Sequence, residues 1–546
     1  MNKIDWRLTW QADATKLEVG QAEIFLSNQA SAYRRVDNHE CLTLAPGDKI
    51  AIRFFGQFCD VAEIGDPSQV HTLSANIIPL FARCTLTVVA ISPMPEKLFA
   101  PGETLLFDPP SLLTKLTGRW YPFLSQFANV QTLRASTDYL VGREGLVKHR
   151  DRIRYIPNSS VTEIAAYVES LFDRICSESP RILVPLSSGY DSRLILACAK
   201  HYCDKTGKEL AVLHSVRSKK QLEIVQRLCE LLDVRPQLVG SQQWRVEDKD
   251  FARLVPEYGK FASGPFQRPG FLSWYRLLET ELQHHGPQQI LGFATESHRG
   301  QTYDFCQTKD ALFHEMIGVD SLEASTHAVA SHLGLEYTPK LQFHPFWDSV
   351  ISDSRMFPRW TQRTEYIRHH LYICNRVHER AGILNQAFEV VTPFQDEQFL
   401  SMAFSLEAKN KYKSRLVVDL INSFCPKISG LEFISSYSKN YLAPHQRLAR
   451  SPLFYPAYKR WNKLRGSGLS KAVRVPKERA WQASTREKFE SYAQTDFEKR
   501  VLKTALDSLP PINPEIAAMV FLWSVRAREQ YGIHVDVSTP MNVAEL

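Results

Sequence analysis

The chain has 546 residues, 44% hydrophobic and 23% charged, with a formal net charge of +7. This length and balance predict about two to four domains with ample core, and exclude a disordered or fibrous chain. No apolar run approaches the roughly 18 residues of a bilayer-crossing helix. Ten cysteines without a CxxC pair or zinc-type spacing read as reduced thiols rather than a disulfide scaffold. The opening MNKIDWRLTWQADATK lacks an apolar h-region and a cleavage pattern, so no signal peptide is expected and a cytoplasmic location is.

In chain order, residues 1 to about 125 read mainly as short strands. EIFLSN, CLTL, KIAIRFFGQFCDVAEI, CTLTVVAI and ETLLFD are rich in β-branched and aromatic residues, and APGD and APGE supply turns. From about residue 161 helices alternate with short apolar strands. VTEIAAYVESLFDRIC is a predicted helix, RILVPLS a strand, DSRLILACAKHYC a helix, ELAVLHSV a strand and SKKQLEIVQRLCELLDV a helix, with PQLVG and QQILGF as further strands. Such alternation predicts a parallel α/β sheet with crossover helices. Beyond residue 360 the pattern is mostly helical. His284-His285 and His369-His370 are adjacent pairs that point apart on an α-helix, so neither is read as a metal site.

The charge is concentrated. Residues 447 to 488 hold twelve Lys/Arg against Glu478 and Glu487, a net of +10, and the rest of the chain has 54 basic against 57 acidic side chains. The segment suits either an anionic partner or a solvated helical connector, and the connector is preferred.

The stretch RILVPLSSGYDSRLIL, residues 181 to 196, carries the first sign of chemistry. A strand that turns through small residues into a helix gathers backbone N–H groups and the positive end of a helix dipole, an anion site. Gly189 is expected to permit a left-handed or close-approach conformation. The hydroxyls of Ser187, Ser188 and Ser192 add donors. Asp191 fits beside phosphate only with a cation between them, so Mg-nucleotide suits the loop better than a bare anion. A capped helix start is the equally weighted alternative. The order Ser-x-Gly-x-Asp-Ser is neither a Walker loop nor GxGxxG. It resembles the S-G-G-x-D-S pyrophosphate loop of ATP pyrophosphatases, with Ser188 in place of a glycine.

Three further stretches resemble the asparagine synthetase superfamily in its own order. FEVVTPFQDEQFLSMAFSL (388 to 406) is similar to L-E-x-R-x-P-F-L-D, matching Glu389, Pro393, Phe394 and Asp396, with Val391 where the family has arginine. ILGFATESHRGQ (290 to 301) is similar to the family's second loop, with Gly292 and Gly300 matching and Glu296 at the second metal-binding aspartate. NKYKSRLVV (410 to 418) puts Lys413 at the family's adenylation lysine, and YSKNYLAP (437 to 444) keeps Lys439 and Pro444 of R-x-K-x-G-F-x-x-P. KLFAPGETLLFD and RWYPF resemble the end of the family's glutaminase domain. No cysteine precedes Cys41, so residues 1–140 are read as a reduced, non-hydrolysing glutaminase-like domain, mainly β, and 150–546 as the synthetase-like domain.

The resemblance implies an ATP-pyrophosphatase α/β fold, with ATP and Mg²⁺ as cofactors, in an amide-forming ligase that activates a carboxylate as acyl-AMP. Leu186 through Gly189, Asp191, Ser192, Ser215, Val216 and Gly292 would contact ATP. Asp191 and Glu296 would hold Mg²⁺, and Lys413 with Asp191 would serve catalysis. The nitrogen donor is ammonia, ammonia from a partner, or an amine within the substrate, as in the related β-lactam synthetases and lasso-peptide cyclases. Phe293 stands where the former have a tyrosine. Glu315 and Glu323 are general-base candidates. The carboxylate substrate is a small molecule or peptide, and the assembly is left open between monomer and homodimer. Membrane partners are not expected, nor is nucleic acid. A binding or regulatory protein that keeps the fold without turnover is the rival from another class.

Overall fold

The structure is a computed structural model. It describes residues within 6–239, 289–292, 327–335, 345–374, 389–431, 489–507 and 514–537, with short gaps inside the first and third spans. The protein is mixed α/β, with antiparallel sheets first and a parallel sheet with helices after them.

Two antiparallel sheets, of six and seven strands, fill the N-terminal part. Alternation places Trp6, Leu8 and Leu17 of one sheet and Ile24, Ile50, Ile52 and Val70 of the other in a single core between them. The run KIAIRFFGQFCDVAEI proves to be a strand pair, and CTLTVVAI covers the end of one strand, a turn and most of the next. Lys49–Phe54 pairs antiparallel with Gln57–Glu63, and Phe81–Cys84 with Val89–Ser92. The expected turns hold: Gly47 (φ 91°) and Gly102 (φ 88°) take left-handed conformations that a side chain would strain.

Five short strands form the parallel sheet: β1 (Arg181–Pro185), β2 (Glu209–Ser215), β3 (Pro236–Val239), β4 (Gln289–Leu291) and β5 (Glu389–Val391). Their spatial order is β3-β2-β1-β4-β5, and each neighbouring pair is parallel. β1 is buried except at its last residue, the pattern of a strand covered on both faces. Helices α1 (Val161–Ile175), α2 (Tyr190–Thr206), α3 (Lys219–Leu231), α4 (Pro345–Asp353), α5 (Trp360–Arg368), α6 (Glu397–Ser405) and α7 (Arg415–Phe424) share one hydrophobic core with it. α1 starts in a capping box: the Ser160 hydroxyl accepts from Glu163 N–H while the Glu163 carboxylate accepts from Ser160 N–H.

The last part of the described chain returns to the first. Strand His534–Val537 pairs parallel with Thr104–Phe107, and helices Asp496–Asp507 and Pro514–Tyr531 close a core with Phe107, Leu112 and Phe127. A second junction is polar. Arg134, 4% exposed, contacts Asp151 (2.9 Å), Asp353, the Tyr366 hydroxyl and His370 Nδ1 (3.2 Å). The Tyr366 hydroxyl donates to Asp151 at 2.6 Å. Burial, and then the Arg134 charge, keep the His369 and His370 rings neutral, the former down to about 3. Among the described residues no helix is long and apolar enough to cross a membrane.

Candidate functional site

In the order β3-β2-β1-β4-β5 the chain leaves β1 towards one edge, then returns to place β4 on the other side of β1. Connections therefore diverge at the carboxyl ends of β1 and β4, the switch point at which an open α/β sheet forms a crevice. Ligands of open α/β sheets bind in such crevices. The Ser187–Ser192 loop leaves β1 at this point, and Gly292 follows β4. A Cβ built on Gly292 would lie 3.6 Å from the Pro185 ring, so the two strand tips touch. Gly292 N–H donates to Val391 O (3.0 Å), which continues the ladder into β5.

The loop is held by its own serines. Ser187 N–H donates to Ser192 Oγ (2.9 Å), and Ser192 Oγ donates back to Ser187 O (3.1 Å). The two hydroxyls lie 2.7 Å apart, and Gly189 N–H reaches Ser187 Oγ at 3.3 Å. Ser192 is 9% exposed and Ser188 2%. The Ser187 and Ser192 hydroxyls shape the loop, with Ser192 turned inward and Ser187 at the exposed side. Gly189 is the N-cap of α2 at φ −86°, ψ 173°. It is extended rather than left-handed, so of the two expected uses of this glycine only the close approach is left for it. Ser188 in turn is absent from the described positive-φ residues, so its backbone carries no left-handed strain.

Asp191 lies in the first turn of α2, half-buried, rather than in the loop before it. A carboxylate there is favoured by the helix dipole and offers the hard oxygen a magnesium ion requires. On the neighbouring strand Ser215 and Val216 are half-buried at the carboxyl end of β2, where Val216 N–H bonds to Val239 O (2.9 Å). Leu186 is buried, and its N–H extends the β1–β2 ladder to Leu213 O (2.8 Å).

One residue here escaped the sequence reading. His214, 3% exposed, lies 2.8 Å through Nδ1 from Leu186 O. A carbonyl only accepts, so Nδ1 carries the proton. The bond ties β2 to the start of the loop. Its only signal in sequence is an imidazole at an otherwise apolar strand position.

The PF-x-D region is mainly architectural. Pro393 opens a 3₁₀ turn, Pro393–Gln395. Phe394 is fully buried against Phe172 and Phe399. Asp396 caps α6 by accepting from Phe399 N–H (2.9 Å), and Tyr167 donates to it at 2.6 Å. Val391, where the resemblance would have an arginine, is fully buried at the tip of β5. Lys413 has its backbone in the turn Tyr412–Ser414, and its side chain is not among those described. Phe293, Glu296, Gly300, Glu315, Glu323, Lys439, Pro444 and the basic segment 447–488 lie outside the described residues.

The structure thus brings Leu186 through Ser192, Ser215, Val216 and Gly292 to one edge of one sheet, although they span more than a hundred residues of chain. No protein-family model matches the chain, and a search of curated proteins finds no match.

Proposed function

We propose that the crevice between β1 and β4 binds Mg-ATP, and that the protein is an ATP-dependent amide-forming ligase of the ATP-pyrophosphatase type. The observation that carries this reading is the position of the Ser-x-Gly-x-Asp-Ser loop. It joins β1 to the N-terminus of the 17-residue helix α2 at the switch point of a β3-β2-β1-β4-β5 parallel sheet. The loop and helix terminus would hold the β- and γ-phosphates. The adenine would lie towards Ser215 and Val216, on the strand next to β1. Asp191 supplies one magnesium ligand and Glu296 the second. Magnesium would neutralise the phosphates and draw charge towards the departing pyrophosphate. Carboxylate oxygen would attack the α-phosphorus and release pyrophosphate, and an amine or ammonia would then displace AMP to leave the amide. Lys413 would offset charge developing in the first step. Cys41, the first cysteine, is exposed on a strand, and the amide nitrogen is assigned to free ammonia, a partner or the substrate itself.

The rival reading, nucleotide binding without turnover, draws support from Val391. A buried valine supplies no guanidinium where the related enzymes have one.

ATP–pyrophosphate exchange across a panel of carboxylates tests the proposal. Exchange that depends on one carboxylate and on Mg²⁺ is expected, and Asp191→Asn should lower it about 10²-fold or more, with the circular dichroism spectrum unchanged. Calorimetric binding of Mg-ATP without exchange for any carboxylate would favour the rival, and wild-type exchange by Asp191→Asn would remove Asp191 from the metal site.

A further inference from the structure

Away from the crevice, the described residues hold another group of ligating side chains. α5 runs directly into a single π-turn, His369–Ile373, in which Cys374 N–H bonds to His369 O. The wider turn stacks residue i on i+5 instead of i+4, and isolated π-turns are frequent at functional sites. An α-helix would set His370 beside Cys374 but turn His369 away; the π-turn brings His369 round to join them. One ligand atom each from His369, His370 and Cys374 lies within 4.8 Å of the other two, and the residues are 0%, 2% and 2% exposed.

The spacing suits a small tetrahedral cation. His369 Nε2 is 3.3 Å from Cys374 Sγ. Zinc bonds of about 2.0–2.1 Å to nitrogen and about 2.3 Å to sulfur set such ligands about 3.5 Å apart. His370 Nε2 makes no hydrogen bond among the described residues, although Asp151 Oδ2 lies 3.5 Å from it. An unsatisfied polar atom this deeply buried calls for an explanation.

We propose that His369, His370 and Cys374 form a structural site for one borderline-soft divalent cation, for which zinc is the best match. Two imidazoles and a thiolate select zinc over magnesium or calcium, and Asp151 Oδ2, 3.5 Å from His370 Nε2, is an oxygen at hand for a fourth bond. The protons balance as follows. Cys374 gives its thiol proton to solvent. His370 binds through Nε2 and shifts its ring proton to Nδ1, so Arg134 Nε gives up that nitrogen and keeps Asp151 and Asp353. The dication less one thiol proton adds a single positive charge, which Arg134 opposes and Asp151 offsets. Since no ligand reaches solvent, the cation would enter as the chain folds. It would pin the π-turn against the polar junction at Arg134.

The test refolds the full chain with one equivalent of Zn²⁺ or Co²⁺, strips excess metal on a chelating resin, and measures metal by mass spectrometry and the near-ultraviolet thiolate-to-cobalt band. One retained equivalent and a cobalt–thiolate band are expected. Cys374→Ser should abolish the band, and His369→Gln, which removes a ligand, should weaken zinc binding by more than the about 10–100-fold typical of losing an outer-shell partner. Cys41→Ser and Cys84→Ser, at exposed positions, should change neither. A wild-type chain that refolds without retaining metal overturns the site, leaving only a Cys374–His369 hydrogen bond in the core. A cobalt band that survives Cys374→Ser also overturns it. The wild-type arm decides even if the variants fail to fold.

Discussion

Asp138 illustrates how one side chain in the N-terminal sheets couples to pH. It is 1% exposed, and burial by itself opposes its charge. His71 Nδ1 at 2.8 Å and the guanidinium of Arg150 outweigh that cost, with Arg152 at 3.5 Å, and hold the carboxyl down to about 2. A carboxylate whose folded pKa lies below the unfolded value of about 3.9 stabilises the fold above that pH, and the contribution disappears as pH falls towards 2. Asp138→Asn should therefore be less stable than wild type by about 2 kcal/mol at pH 7, with the gap closing between pH 4 and 2. Urea melts across that range measure it. A gap that does not change with pH would mean that lost packing, not lost charge, is responsible.

Among the elements, α1 owes its start to a local signal. Ser160 and Glu163 satisfy two helix-end donors reciprocally, and neither bond needs the rest of the fold. Ser160→Ala should cost about 1 kcal/mol in chemical denaturation. Glu163→Ala should cost less after Ser160→Ala than on its own, because the two side chains act as one unit. If the two losses simply add, the capping box is not formed in solution. Strand ends behave differently. In Lys49–Glu63 the one local break signal is Gly56, between the two strands; pairing with Ile24–Ser27 and Ser68–His71 fixes them as a hairpin.

For the whole molecule, Arg134 is the most deeply buried of several polar links between the first sheets and the helices beyond residue 345, with Lys148–Asp353 and Arg152–Glu397 beside it. Its loss would leave Asp151 and Asp353 facing Tyr366 and His370 without a guanidinium. Removing one partner of a buried ion pair typically costs about 3–5 kcal/mol. Arg134→Ala should lose about that much stability and raise hydrogen exchange in both 137–151 and 360–374. Combining it with Asp151→Asn should recover part of the loss, since the stranded charge is then removed. Faster exchange confined to 137–151 would show that the junction does not couple the two regions.

The sequence by itself determined most element types and four of the parallel sheet's five strands in chain order; β5, Glu389–Val391, fell in a stretch read as mostly helical. Those follow from local periodicity: the apolar run of β1, the helical spacing of α1 and α2, the glycines of the two turns. It also marked the small-residue loop at 187–192, because serine, glycine and aspartate at a strand-to-helix step are a local choice. Tertiary structure decided how those pieces are used. Strand order put the loop at a switch point, and the ladders from β1, β2 and β4 brought Leu186, Val216 and Gly292 to the same edge. It turned Ser192 inward to close the loop and left Gly189 extended. It also gathered the His369-His370 pair, which the sequence sets apart on an α-helix and so does not offer as a metal site, into a cluster with Cys374 through a π-turn. Long-range pairing and burial set these outcomes, and no window of neighbouring residues contains them.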